Sequence, residues 1–198
     1  MRGKADVIVA GKVPIFRLAT ALALACLSQP LAAQPAHPGD NIEATAGKLR
    51  IIQLWSTEPE AVVAAFSQPN PPTLPVATAA ERNQKIHQFI LYANCQRDPD
   101  GKCWLSSVVD ITAPDGTPYG EQLKFDALPL GPAVPPDRIG MAPGAIAMII
   151  EDGEQLGLYR IKLAVTDEIA VQTATSTVHL NIVEAGTLPK NAAQPSAD

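Results

Sequence analysis

The chain has 198 residues, 46% of them hydrophobic and 18% charged, with a formal net charge of −5. That length suits one domain or two small ones. The acidic balance argues against nucleic acid or an anionic membrane surface as a partner.

The first segment is a leader. Arg2, Lys4, Lys12 and Arg17 precede "LATALALACL", an apolar run of ten, and then "SQPLAA". This is the charged, apolar and small-residue order of a secretory signal peptide. The run is well short of the roughly 20 apolar residues that span a bilayer. Residues 1–33 are therefore read as a signal peptide, with cleavage after Ala33 and Gln34 as the new N-terminus. A competing start lies at Cys26, because "LALAC" loosely resembles a lipobox, although Ala23 stands where that motif prefers Leu. Removing residues 1–33 leaves 11 basic and 19 acidic residues, a net charge of −8 on 165 residues. No second apolar run reaches membrane length, so no transmembrane segment is expected in the mature chain.

Residues 34–78 read as an N-terminal extension. The polar stretch 34–48 is expected to be disordered. "LRIIQLW" (49–55) predicts a short strand, and "STEPEAVVAAF" (56–66) a short helix. Ser56 or Thr57 is placed to cap it, with Pro59 in its first turn and Glu58 and Glu60 at its positive end. "SQPNPPTLPVAT" (67–78) carries four prolines and reads as an extended connector.

From residue 79 to 184 the pattern has period two. In "KIHQFILYANC", both the Ile86, Gln88, Ile90, Tyr92 set and the intervening residues are largely apolar, which predicts a central strand covered on both faces. Further strands are predicted at 104–112, 121–128, 145–152, 158–167 and 176–183. In 158–167, Tyr159, Ile161, Leu163 and Val165 share one face. In 176–183, Val178, Leu180 and Ile182 point inward. Such strands, separated by Gly/Pro turns with hardly any helix, predict a mainly β, antiparallel sandwich with Pro-rich loops. Residues 185–198 are expected to be a disordered tail.

"LGLYRIKLAVTD" followed by "STVHLNIV" resembles the last two strands of immunoglobulin-like domains in bacterial secreted and periplasmic proteins. "CWLSSVVDITAPDGTPYG" resembles the strand and Pro-Asp-Gly turn of the same modules. The resemblance spans roughly residues 84–183 and implies an immunoglobulin-like β-sandwich, a fold that hosts unrelated activities. The antibody pattern of distant cysteines bridging the two sheets is missing; the cysteine pair here is local.

That pair, Cys95 and Cys103, is expected to form a disulfide, since export leads to an oxidising compartment. The sequence predicts a stapled hairpin, with Cys95 opposite Cys103 across a five-residue loop. The alternative register is a three-residue loop that sets Cys95 opposite Leu105. A calcium loop at Asp98, Asp100 and Asp115 is disfavoured, because Lys102 and Val109 stand where ligands belong; turn geometry accounts for the Asp and Gly residues. A redox pair would need Cys-x-x-Cys at a helix start, and zinc a nearby histidine. Of the three histidines, His37 lies in the flexible stretch 34–48, and His87 and His179 lie within strands, where packing or surface filling accounts for them. Glu151, Asp152 and Glu154 read as a solvated turn, and Trp55 and Trp104 as core. No catalytic, metal or cofactor residue is therefore assigned.

The long stretch "LPLGPAVPPDRIGMAPG" (128–144) has five prolines and is partly apolar, with Leu130, Val134, Ile139 and Met141 among its residues. Loops of this length in compact domains are usually functional or disordered, and this one reads equally as a docking surface or as a plain crossing from one sheet to the other. These four residues form the candidate partner-contact loop. The expected function is an exported, periplasmic or secreted binding or accessory module, not an enzyme, that engages another envelope protein. The alternatives are a carboxylate-based glycan-acting enzyme and a lipid-tethered envelope structural protein anchored at Cys26.

Overall fold

The computed structural model describes residues 5–9, 37, 39–68, 74–136 and 138–188, with only the backbone given for 5–9. Cys26, the Ala33–Gln34 junction and residues 189–198 lie outside them. In chain order the elements begin with β1 (Ala5–Val9), β2 (Glu43–Ala46), β3 (Leu49–Ser56), helix α1 (Pro59–Phe66) and β4 (Ala79–Glu81). Next come β5 (Ile86–Ala93), β6 (Lys102–Thr112), β7 (Leu123–Pro132) and β8 (Gly140–Met141). The last are β9 (Gly144–Met148), β10 (Gly157–Asp167) and β11 (Gln172–Val183).

Two sheets face each other in a β-sandwich. The first has the order β1-β9-β5-β3-β2, with β8 also on β5; the second is β4-β11-β10-β6-β7. All pairings are antiparallel except β4 with β11. Strict alternation in β6, β10 and β11 sends every second side chain inward, including Leu105, Val109, Tyr159, Ile161, Leu163, Val165 and Leu180. These meet Leu49, Ile51, Trp55, Ile86, Ile90 and Tyr92 from the first sheet in one continuous core.

β5 is buried on both faces, as its doubly apolar pattern predicts. Its second face, Phe89 and Leu91, joins Ile52, Leu54, Val62, Ala65 and Leu74 in a smaller cluster beneath α1. Each of these side chains larger than alanine contributes roughly 1.5–3 kcal/mol when removed from water. The helix is thus a lid on the outer face of the first sheet. Its N-cap is Glu58 with no side-chain cap bond; Ser56 Oγ instead accepts the Glu58 N–H at 3.0 Å.

Four expectations are corrected. The sandwich does not start at residue 79. β3 lies beside β5 from Arg50↔Ala93 to Ser56↔His87, because its Leu49, Ile51 and Trp55 belong to the shared core. The stretch 39–48 is ordered rather than loose: β2 pairs with β3, and Asn41 bridges to Thr177. The stretch 128–144 is irregular only in its middle, since β7 runs to Pro132 and β8 starts at Gly140. β7 tolerates Pro129 and Pro132 because it is an edge strand, where missing N–H donors face no partner. The tail is held as far as Leu188, whose N–H donates to Glu81 Oε1 at 2.9 Å.

The stapled hairpin is the fifth correction. Cys95 and Cys103 are bonded, with Cα atoms 6.1 Å apart. However, β5 and β6 lie in different sheets and do not pair. Neither register therefore exists; the disulfide ties the end of β5 to the start of β6 across the gap between sheets. A local cysteine pair thus links the two layers after all. β1 lies inside the expected leader and pairs by backbone with β9, from Ala5↔Met148 to Val9↔Gly144. Cleavage after Ala33 would remove it and open that edge of β9.

Candidate functional site

The disulfide region organises one end of the sandwich. Asp167, buried at the end of β10, accepts the Gln96 N–H at 2.6 Å through Oδ2 and the Ile169 and Ala170 N–H groups through Oδ1. It pins the segment after Cys95 to the turn between β10 and β11. Arg97 reaches the other way and donates to the Val134 carbonyl. Burial pushes the Tyr92 phenol up, against an opposing hydrogen bond to the Val134 backbone. An open depression of about 520 Å³ results, lined by Lys48, Asn94, Cys95, Gln96, Arg97, Val134 and Pro136. Among the described lining residues, the titratable groups are the cations Lys48 and Arg97.

The four candidate contact residues divide. Leu130 is 56% exposed and Ile139 42% exposed. Val134 packs against the main core, and Met141 packs against the cluster beneath α1. Trp104, expected in the core, is 40% exposed instead. It follows Cys103 on β6, so it takes the outward parity, and its indole N–H donates to Asp126 Oδ1 at 3.0 Å. The ladder shifts from Cys103↔Gly131 to Leu105↔Leu128, which sets Trp104 against Pro129 and Leu130. An exposed tryptophan on β6 and an exposed leucine on β7 therefore lie at neighbouring positions of the ladder. The alternation of β6 carried this signal.

The acidic turns are occupied locally. Asp98 Oδ1 accepts the Asp100 and Lys102 N–H groups at 2.9 and 2.8 Å, and Asp115 Oδ1 accepts both the N–H and the hydroxyl of Thr117. Glu154 accepts the Glu151 N–H at 2.6 Å and the Tyr119 hydroxyl at 3.1 Å. Asp152 accepts from Asn83 Nδ2. These carboxylates fasten turns to their neighbours; they do not line the depression. Burial and the Glu154 charge push the Tyr119 phenol far up, and burial pushes Tyr159 up to about 12.

A second cluster has no local sequence signature. His179, on the outward parity of β11, places Nδ1 2.7 Å from Asp40 Oδ1, which also accepts the His179 backbone N–H at 2.9 Å. Asp40 Oδ2 accepts the His37 N–H at 2.8 Å. The two imidazole rings lie 4.5 Å apart, centre to centre. The Asn41–Thr177 bridge holds this segment along the edge of β11. Sequence reasoning gave His37 and His179 no role and passed over Asp40, because 139 residues separate Asp40 from His179.

No family model matches the sequence, and comparison with curated proteins gives no match. Among solved structures, the chain is similar to a CARDB domain of Pyrococcus furiosus in complex with di-metal ions, at 18% identity and a TM-score of 0.34, covering 55% of this chain and 86% of that one. It is similar to a Niemann-Pick type C2 protein of the Japanese carpenter ant at 9% identity and a TM-score of 0.35, covering 73% and 96%. A family 123 glycoside hydrolase of Clostridium perfringens aligns at 11% identity and a TM-score of 0.38, covering 68% of this chain but 27% of the hydrolase. The chain thus spans about a quarter of that enzyme. Likenesses this shallow assign no activity. Among the described residues, no helix is long and apolar enough to cross a membrane.

Proposed function

We propose that the chain is an exported, periplasmic binding or accessory module of immunoglobulin-like type that docks another envelope protein without catalysing a reaction. The observation that carries this reading is the exposed apolar pair Leu130 and Ile139, which flank a proline-stiffened segment held in place by Arg97. A segment already fixed in shape loses less conformational freedom on binding, so its exposed side chains convert more of their contact into affinity. The neighbouring depression supports docking over acid–base chemistry. Among the described residues that line it are amides and cations and no carboxylate. Export rests on the ordered charges and apolar run of residues 1–33, and the disulfide suits the compartment that export would reach.

The test compares wild-type protein with the Leu130→Asp/Ile139→Asp double variant. Both side chains are exposed, so the melting temperature should hardly change. Cross-linking in the native envelope should give a discrete partner adduct with wild type and much less of it with the variant. An undiminished adduct, or a variant that unfolds, rejects the loop as the contact surface. Hydrolysis of envelope glycan by the purified chain would favour the carboxylate-enzyme alternative.

A further inference from the structure

We propose that His37, Asp40 and His179 form a binding site for a divalent transition cation of the zinc class. One ligand atom from each residue lies within 4.8 Å of the other two. Two imidazoles and one carboxylate suit zinc and its first-row neighbours by ligand softness and geometry.

A structural role explains only part of the arrangement. Asp40 caps the edge of β11 by accepting the His179 N–H, beside the Asn41–Thr177 bridge. That role needs the carboxylate and no imidazole. Yet two of the three histidines in the chain converge on this one carboxylate. The Asp40 side chain is only 5% exposed, so its charge sits where a cation would be favoured and water is scarce. His179 is largely buried beside it, while His37 faces solvent and leaves one side of the cluster open.

The geometry is that of a site ready to close. Donors around a tetrahedral zinc ion lie roughly 3.3 Å apart. The longest separation here exceeds that by about 1.5 Å at most, a gap that rotation of the exposed His37 side chain can span. The ion would replace the hydrogen bond between His179 Nδ1 and Asp40, leaving the two backbone N–H bonds to the carboxylate intact. Three protein donors leave at least one position for water or an anion. Binding would also fasten the segment before β2 onto β11, adding a tie between the N-terminal part of the mature chain and the second sheet.

The test titrates the full exported chain with Zn²⁺ in a buffer free of phosphate and chelators. Calorimetry should show one site with a Kd of about 10 µM or tighter, and the melting temperature should rise and fall back with EDTA. Loss of an outer-sphere partner alone costs metal sites about 10–100-fold in affinity, so His37→Ala and His179→Ala should each weaken binding by at least about that much. His37 is exposed, so His37→Ala should melt normally without metal. Should His179→Ala fail to fold, NMR of the wild type decides, because Zn²⁺ must shift the ring signals of both His37 and His179. Absence of binding at about 1 mM Zn²⁺, unchanged affinity in His37→Ala, or movement of only one ring overturns the proposal.

Discussion

Gln88 should be a source of instability that a single substitution removes. Its side chain is 0% exposed, on the inner face of β5 between Ile86 and Ile90 and opposite Trp55. Neither Nε2 nor Oε1 has a hydrogen-bond partner among the described residues. A buried polar group without a partner costs about 1–3 kcal/mol relative to solvation. Gln88→Met keeps the length and rough volume while removing both polar atoms, so overpacking is avoided. The expected gain is about 2 kcal/mol, or a rise in melting temperature of about 4–8 °C for a chain of this size. Ser176→Ala is the opposing control. It strips the buried Gln53 Oε1 of its 2.9 Å bond from Ser176 Oγ and should destabilise the fold by about 1–2 kcal/mol. Calorimetric and urea-induced unfolding of the three proteins provides the measurement, with an unchanged urea slope showing that the unfolded reference is the same. A Gln88→Met protein that melts lower than wild type would refute the reasoning and show that the amide is hydrogen-bonded inside the core.

Three further outcomes are expected. Replacing both Cys95 and Cys103 by alanine should cost roughly 2–3 kcal/mol for so short a loop; peptide mapping of unmodified protein without reductant should show that single intramolecular link and no free thiol, and an unchanged melting temperature would count against the bond. All three tyrosines have raised phenol pKa values, led by burial. Because the folded state holds these protons more tightly, the contribution of Tyr159 is complete below about pH 10 and is lost as pH rises through about 12, so ultraviolet titration of folded protein should show fewer than three phenolates forming near pH 10; ionisation of all three tyrosines there would contradict the burial argument. Terminal sequencing of exported protein should begin at Gln34, and a chain beginning at lipidated Cys26 would favour the tethered alternative.

The strands were legible because their signal is local. Tyr159, Ile161, Leu163 and Val165 alternate within a single stretch, and the same residues line the core. The two-faced apolarity of β5 likewise showed that something must cover each side. What covers them was not legible, since α1 and the second sheet are defined by residues tens of positions away. The cysteine pair shows the limit clearly. Eight residues of separation suit a hairpin, yet the covered pattern of β5 and the one-sided pattern of β6 belong to different layers, and that contrast was the available clue. Trp104 was similarly readable from parity, one position after an inward cysteine.

The sequence by itself determined the strand periodicity, the turn chemistry at Asp98 and Asp115, and the pairing of Cys95 with Cys103. All three follow from contacts made within about a dozen residues. Only the tertiary structure decided that residues 43–56 belong to the sandwich, that the disulfide joins two sheets, and that Leu130 and Ile139 face solvent while Val134 and Met141 do not. It alone brought His37 and Asp40 to His179. These outcomes depend on which strand edges meet, and edge pairing is set by the burial of whole faces across the chain rather than by any local run of residues.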